Sequence, residues 1–269
     1  MALTDFQRDV CRILAARRRD GGESYVAGGL ALNELLRQPR RSRDVDLFHD
    51  TEAALAATWP ADRAALEAAG YGLRVLRETA GFVEALAERG HQSLLIQWTR
   101  DSAFRFFPLV EDATLGLTLH PLDLAANKVL ALVGRLEPRD WVDVLACDEK
   151  LQPLGYLAWA ACGKDPGFSP AALLQEARRS SRYTQSELNA LDFEGGTPDA
   201  AELSRRWHAA LQTATEICAR LPAAEVGKCV LIAAGALCCL PPAGLKDTTS
   251  LQFHDGKIGG AWPRIIEAT

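Results

Sequence analysis

Tyr25-Val26-Ala27-Gly28-Gly29, followed after a short helix and a basic turn by Arg41-Ser42-Arg43-Asp44-Val45-Asp46-Leu47-Phe48, is the stretch whose reading decides the fold. The apolar residues before the glycines read as a strand, and Gly28-Gly29 open a helix predicted from about Leu30 to Arg37. A second strand then carries Asp44 and Asp46. Strand side chains alternate between faces, so the two aspartates project to one side while Val45 and Leu47 pack behind them. Adjacent carboxylates repel each other unless a cation lies between them, so this face can hold a divalent metal. The glycines let backbone amides at a helix N-terminus close on phosphate groups, where the open N–H groups and the helix dipole favour an anion. Each feature alone is a weak motif, common in loops and on solvated strand faces. In this order and spacing they point to nucleotidyl transfer.

Composition bounds the rest. The chain has 269 residues, enough for one large domain or two ordinary ones, and 48% hydrophobic residues can build a sizeable core. Its formal net charge of −5 argues against a protein that coats nucleic acid indiscriminately. Local anion sites remain available in three arginine clusters: Arg17-Arg18-Arg19, Arg37 with Arg40, Arg41 and Arg43, and Arg178-Arg179 with Arg182. The first reads as a solvated helix face. Seven cysteines without regular spacing fit reduced thiols, and Cys238-Cys239, in an apolar run with no histidine at ligand spacing, read as core. The N-terminal residues do not read as a signal peptide, and the longest apolar run, Val230 to Leu240, falls short of a membrane span. A cytoplasmic protein with no membrane partner is expected.

Outward from the opening stretch, Thr4 caps a helix with Phe6, Val10, Ile13 and Leu14 at helical spacing up to Gly21-Gly22. Asp50 or Thr51 caps a second helix running to Gly70, with Pro60 predicting a break or a new start. Three extended segments follow, Leu73–Glu78, Phe82–Ala87 and Ser93–Thr99, and then a loop or hairpin over Phe106–Leu119. Pro121 suits the first turn of a helix that presents Lys128 and Arg135 two turns apart on a narrow polar stripe. The next helix starts near Pro138 and sets Asp140 and Asp143 on one face; dipole-favoured acids paired with Arg135 or Arg139 would look the same.

Four blocks in order resemble the AbiEii-type nucleotidyltransferases of the polymerase-beta-like superfamily, which include toxins of type IV toxin-antitoxin systems. They are Gly28-Gly29 with Ala31-Leu32; Arg40/Arg41-Ser42-Arg43-Asp44-Val45-Asp46-Leu47; Leu124-Ala125-Ala126-Asn127-Lys128 with Ala131-Leu132; and Arg139-Asp140-x-x-Asp143. The resemblance implies an α+β fold, with a mixed sheet flanked by helices over residues 1–120. A mainly helical region over 121–269 would carry the Lys and Arg-Asp-x-x-Asp motifs and end in a small β element. It also implies transfer of a nucleoside monophosphate from a nucleoside triphosphate, with magnesium in a two-metal site on Asp44 and Asp46. Gly28 and Gly29 would hold the terminal phosphates, with Ser42, Arg43 and Arg135 assisting. By the same resemblance Lys128 would stabilise the leaving pyrophosphate, Asp140 would lie near the reacting centre, and Arg139 and Asp143 would support it. The acceptor would be a tRNA 3′ end, and a cognate antitoxin a partner. A small-molecule or protein acceptor would use the same metal chemistry.

One position departs from the superfamily, whose members often carry a third carboxylate on a later strand. Here the alternating strand Ser93-Leu94-Leu95-Ile96-Gln97-Trp98 offers Gln97, which is neither a base nor a good magnesium ligand. Asp140 could substitute, Asp101 or another strand acid could occupy the place, or the chain could bind nucleotide without turnover; the first is favoured by the downstream motif. Beyond Lys150 the resemblance fades. Pro170–Arg179 and Ala200–Arg220 read as helices, and Glu187–Glu202 as a loop or linker. Val226–Leu240 is strand-compatible and broken by Gly235, and Leu251–Ile258 signals a hairpin through Asp255-Gly256, with His254 an exposed turn residue.

Overall fold

The computed structural model describes residues 3–18 and 24–264; Arg19 and the Gly21-Gly22 pair lie outside the described residues. The chain divides into two compact units, Met1–Ala103 with Leu109–His120, and Phe104–Pro108 with Pro121–Thr269.

The first unit is a helix-backed sheet. Helix α1 (Asp5–Arg18) starts where the Thr4 hydroxyl accepts from the Gln7 amide at 3.2 Å. It is followed by β1 (Ser24–Ala27), α2 (Gly28–Leu35), β2 (Arg40–Arg41), β3 (Asp44–His49) and α3 (Glu52–Ala68). The meander is β4 (Gly72–Thr79), β5 (Phe82–Arg89) and β6 (Gln92–Arg100). Strand β7 (Phe104–Arg105) belongs to the second unit, and the hairpin β8 (Val110–Asp112) and β9 (Gly116–Thr118) to the first. Seven strands form one mixed sheet in the order β4-β5-β6-β3-β1-β9-β8, with β3–β6 and β1–β9 parallel and the other pairs antiparallel.

Period-two alternation fixes what each face does. Val45, Leu47, Val83, Ala85, Ile96 and Trp98 are buried, as are Leu55, Trp59 and Leu66 of α3 and Phe6, Val10 and Leu14 of α1. The opposite face carries the half-buried Asp44, Asp46, Phe48, Leu95, Gln97, Phe82, Glu84 and Leu86. A one-residue slip of β3 would put both aspartates into the core, so burial of Val45 and Leu47 specifies the register.

Two expectations for this unit are corrected. Pro60 neither breaks nor restarts the helix: α3 is continuous through it, capped by the Thr51 hydroxyl, which accepts from the Ala54 amide. Buried side chains on both sides of the proline, Leu55 and Trp59 before it, Asp62 and Leu66 after it, hold the helix against the lost hydrogen bond. Nor is the first arginine cluster simply a solvated face. Arg18 is fully buried, its Nη2 2.8 Å from Asp62 Oδ2, and Trp98 Nε1 donates to the same oxygen at 2.9 Å.

The second unit is mainly helical: α4 (Pro121–Arg135), α5 (Pro138–Lys150), α6 (Leu154–Lys164), α7 (Pro170–Ala177), α8 (Gln185–Asn189), the short strand β10 (Asp192–Phe193) and α9 (Ala200–Cys218). A 3-10 turn, Arg178–Arg182, follows α7, and the stretch expected as a linker, Glu187–Glu202, contains the end of α8 and the start of α9. Helix α6 is buried all round from Leu154 to Cys162, as a central helix must be, and α4, α5, α7 and α9 pack on it. The seven cysteines are free thiols, and Cys238 lies in an apolar cluster with Tyr156, Trp159, Ile217 and Val230.

The hairpin expected through Asp255-Gly256 does not form. Strand β12 (Leu251–His254) pairs antiparallel with β11 (Cys229–Ile232), and β13 (Lys257–Ile258) pairs with β7. A tight two-residue hairpin of this type needs positive φ at both central residues, and neither Asp255 nor Gly256 has it. His254 is buried rather than exposed, its Nε2 2.9 Å from the carbonyl oxygens of Phe106 and Ala261. The expected break at Gly235 is present: its φ is +77°, and the chain returns to bridge Leu237 to Leu231.

Candidate active site

In the first unit, β1 runs directly into α2, and its last residue, Ala27, stands opposite Asp46 in the antiparallel register with β3. Gly28 makes this junction possible. Its φ of +67° is left-handed, and a Cβ placed on it would lie 1.7 Å from Asp46 Oδ2 and 2.6 Å from Asp46 Cγ. The carboxylate therefore lies directly against the backbone where α2 begins. The N-cap residue, Ala27, makes no side-chain cap, which leaves the amides of the first turn of α2, Gly29 among them, for an anion.

Asp44 is oriented from the other side. The buried Ser42 donates its hydroxyl to Asp44 Oδ1 at 2.6 Å, and Gln7 Nε2 on α1 donates to the Ser42 carbonyl at 2.6 Å. Arg43 is exposed. Among the described residues no group of three or more His, Cys, Asp or Glu side chains gathers as a ready metal nest. Two carboxylates on one face suit magnesium, which keeps waters and takes the rest of its shell from substrate phosphates. The start of α2, without a side-chain cap, lies beside Asp46.

In the second unit, α4 and α5 build a buried charge cluster. Lys128 Nζ donates to Asp140 Oδ1 at 2.9 Å and lies 3.1 Å from Asp143 Oδ2. Arg135 binds Asp140 with both arms of its fork, Nε to Oδ2 at 2.6 Å and Nη2 to Oδ1 at 3.0 Å. The Lys128 side chain is only 8% exposed and that of Asp140 fully buried, whereas the Arg135 side chain is 48% exposed. Burial pushes the Asp140 carboxyl up, but the hydrogen bonds and charge of Arg135 and Lys128 outweigh it, and its pKa lies below the ordinary value. Tight return of the chain between the helices uses Leu136 at a φ of +53°. The adjacent Arg139 is half-buried.

The model of the AbiEii nucleotidyl transferase toxins of type IV toxin-antitoxin systems matches residues 12–213. The chain belongs to this family. Two solved structures share the fold: JHP933 from Helicobacter pylori, 14% identical over 81% of this chain and 95% of that one with a TM-score of 0.55, and an H. pylori protein assigned as a nucleotidyltransferase, 13% identical over 82% and 99% with a TM-score of 0.53. No curated protein matches. As an AbiEii-family chain it is a nucleotidyltransferase with the mixed sheet and flanking helices of that fold. The match runs well past Lys150, beyond which the sequence resemblance fades, so α6 to α8 and most of α9 are part of the family's domain. Among the described residues no helix is long and apolar enough to cross a membrane.

The structure thus brings Gly28, Gly29, Ser42, Asp44 and Asp46 together in one unit, and Lys128, Arg135, Asp140 and Asp143 together in the other. Two participants escaped the sequence reading. Gln7 sits in α1, where only a tertiary contact reveals its hold on Ser42. Glu84 stands on β5 in register with Gln97 and accepts from Gln97 Nε2 at 2.7 Å. Its place in the alternating Phe82-Val83-Glu84-Ala85-Leu86 puts it on the polar face, but strand order alone makes it a neighbour of the site. Of the arginines weighed for a basic surface, Arg40 is buried, while Arg37, Arg178, Arg179 and Arg182 are exposed.

Proposed function

We propose that the protein moves a nucleoside monophosphate from a nucleoside triphosphate onto an acceptor hydroxyl at the 3′ end of tRNA, with magnesium on Asp44 and Asp46. The observation that supports this most is the contact of the Asp46 carboxylate with Gly28 at the uncapped start of α2, a carboxylate beside a helix end whose dipole favours an anion. Asp44, held by Ser42, and Asp46 bind the metal; Gly28 and Gly29 amides take the terminal phosphates, and Arg43 adds charge. Magnesium held by these two carboxylates would supply charge neutralisation at the phosphates and ease deprotonation of the attacking hydroxyl. Lys128 and Arg135 contribute phosphate-binding cations. Asp140 and Asp143 position them, since both oxygens of Asp140 already accept from these two residues.

A tRNA acceptor is supported by the positive charge of exposed arginines, Arg178, Arg179 and Arg182 in one 3-10 turn and Arg37 after α2. The family also supports a neutralising antitoxin partner and a role in growth control, exercised in a reducing cytoplasm that keeps the seven thiols free. Incubation with each α-32P-labelled nucleoside triphosphate, magnesium and total cellular RNA should label a tRNA band, and Asp46→Ala should abolish it. Label appearing on a small molecule or a protein instead would replace the tRNA acceptor.

A further inference from the structure

Registered strand neighbours share a face, and one row across the sheet reads Asp46 on β3, Gln97 on β6 and Glu84 on β5. Gln97 therefore occupies the strand beside Asp46, where a third carboxylate would be sought, and Glu84 lies one strand further out. The hydrogen bond between them fixes the amide. A carboxylate accepts only, so the nitrogen must face Glu84, as Nε2 does at 2.7 Å. The bond ties the Glu84 carboxylate to Gln97, the residue beside Asp46 in the row. Neighbouring strands lie about 4.8 Å apart, so the backbones of Asp46 and Glu84 are on the order of 10 Å apart with Gln97 between them, and an attacking hydroxyl over the Gln97 amide would stand between the two carboxylates. Two other acids are committed elsewhere: Glu88, half-buried on the same face of β5, is paired with Arg74, and Asp140 is fully buried between Lys128 and Arg135.

We infer that Glu84 is the proton acceptor of the transfer, with Gln97 as its positioning residue; this rests on the nucleotidyl-transfer reading of Asp44 and Asp46. The proton of the acceptor hydroxyl passes to a Glu84 carboxylate oxygen as the hydroxyl oxygen bonds to the α-phosphorus. The bond from the α-phosphorus to the bridging oxygen breaks, pyrophosphate leaves with that electron pair, and Glu84 returns its proton to solvent.

The test is a comparison of Glu84→Gln, the exchange Glu84→Gln with Gln97→Glu, and Asp46→Ala in the full chain, by pyrophosphate release with magnesium, each nucleoside triphosphate and total cellular RNA. Glu84→Gln keeps an acceptor for the Gln97 amide, so a structural role would leave it active. A base role predicts a kcat lower by about 100-fold or more, unchanged nucleotide KM and loss of the acid limb of the pH profile. The exchange keeps one amide–carboxylate hydrogen bond across the same register while moving the carboxylate beside Asp46, and should recover much of the loss. Wild-type turnover with Glu84→Gln at full rate and unaltered pH profile overturns the part given to Glu84 alone. A wild type that releases no pyrophosphate above the Asp46→Ala blank overturns the reading of the whole face, and Glu84 with it.

Discussion

Gly28→Ala tests the junction of β1 and α2 more sharply than deletion of either aspartate. The new methyl meets two separate obstacles. At a φ of +67° an L side chain costs about 1–2 kcal/mol, whatever surrounds it. The Cβ would also lie 1.7 Å from Asp46 Oδ2, so the carboxylate must swing away, a forced shift of the kind that costs about 1–3 kcal/mol. Together they should destabilise the protein by about 3 kcal/mol in urea unfolding followed by tryptophan fluorescence. Displacing a metal ligand and the backbone amides by about 1 Å should also lower kcat/KM by about 100-fold. The two obstacles separate in a double-mutant cycle. Asp46→Ala removes the clashing oxygens and leaves only its own Cβ, 3.0 Å from the new methyl, so the stability cost of Gly28→Ala should fall to about 1–2 kcal/mol in that background. Equal costs in the two backgrounds would show that the carboxylate does not lie against Gly28, and the argument for a metal ligand beside the helix end would fail.

Three other outcomes follow from buried charge. Asp62→Ala should cost about 3–5 kcal/mol by stranding the buried Arg18, while replacing both residues with apolar ones of similar volume should cost far less, as urea unfolding would show. Burial pushes His49 down to about 4 from an ordinary 6.5, so the unfolded chain binds the extra proton first; on the order of 3 kcal/mol of stability should be lost as pH falls from 6.5 to 4, and His49→Phe should flatten that slope. Asp140, held below its ordinary 3.8, works in a lower window. Its contribution is full above pH 3.8 and is lost as pH falls through the depressed value, so Asp140→Asn, which leaves the buried Lys128 without this carboxylate, should destabilise the protein at pH 7 by about 3–5 kcal/mol, the cost of breaking a buried pair, and the gap to wild type should narrow in acid.

Local signals carried much of the fold into the sequence. Alternation in Asp44-Val45-Asp46-Leu47, the double glycine before a helical pattern and Pro121 before the Lys128 helix each report on their own neighbourhood, and each element stands where its pattern puts it. What stayed hidden depends on partners distant in the chain. Glu84 is ordinary until β5 is known to pair with β6 and β6 with β3. Arg18 looks like surface charge until Asp62, forty-four residues later, meets it in the core. Pro60 breaks a helix by local rule, and tertiary anchoring overrides it. Asp255-Gly256 carries a hairpin signal, yet the strands on either side take other partners. The motif blocks named a family; register and burial then gave Ser42, Gln97 and Asp140 their neighbours.

The most direct measurement is a crystal structure of the full chain with manganese and a non-hydrolysable nucleoside triphosphate, with anomalous scattering used to place the metal. Manganese should stand within ligand distance, about 2.1 Å by the standard of magnesium sites, of carboxylate oxygens of both Asp44 and Asp46. The phosphates should lie on the amides of Gly28 and Gly29. Nucleotide bound elsewhere, or manganese touching neither aspartate, would contradict the account.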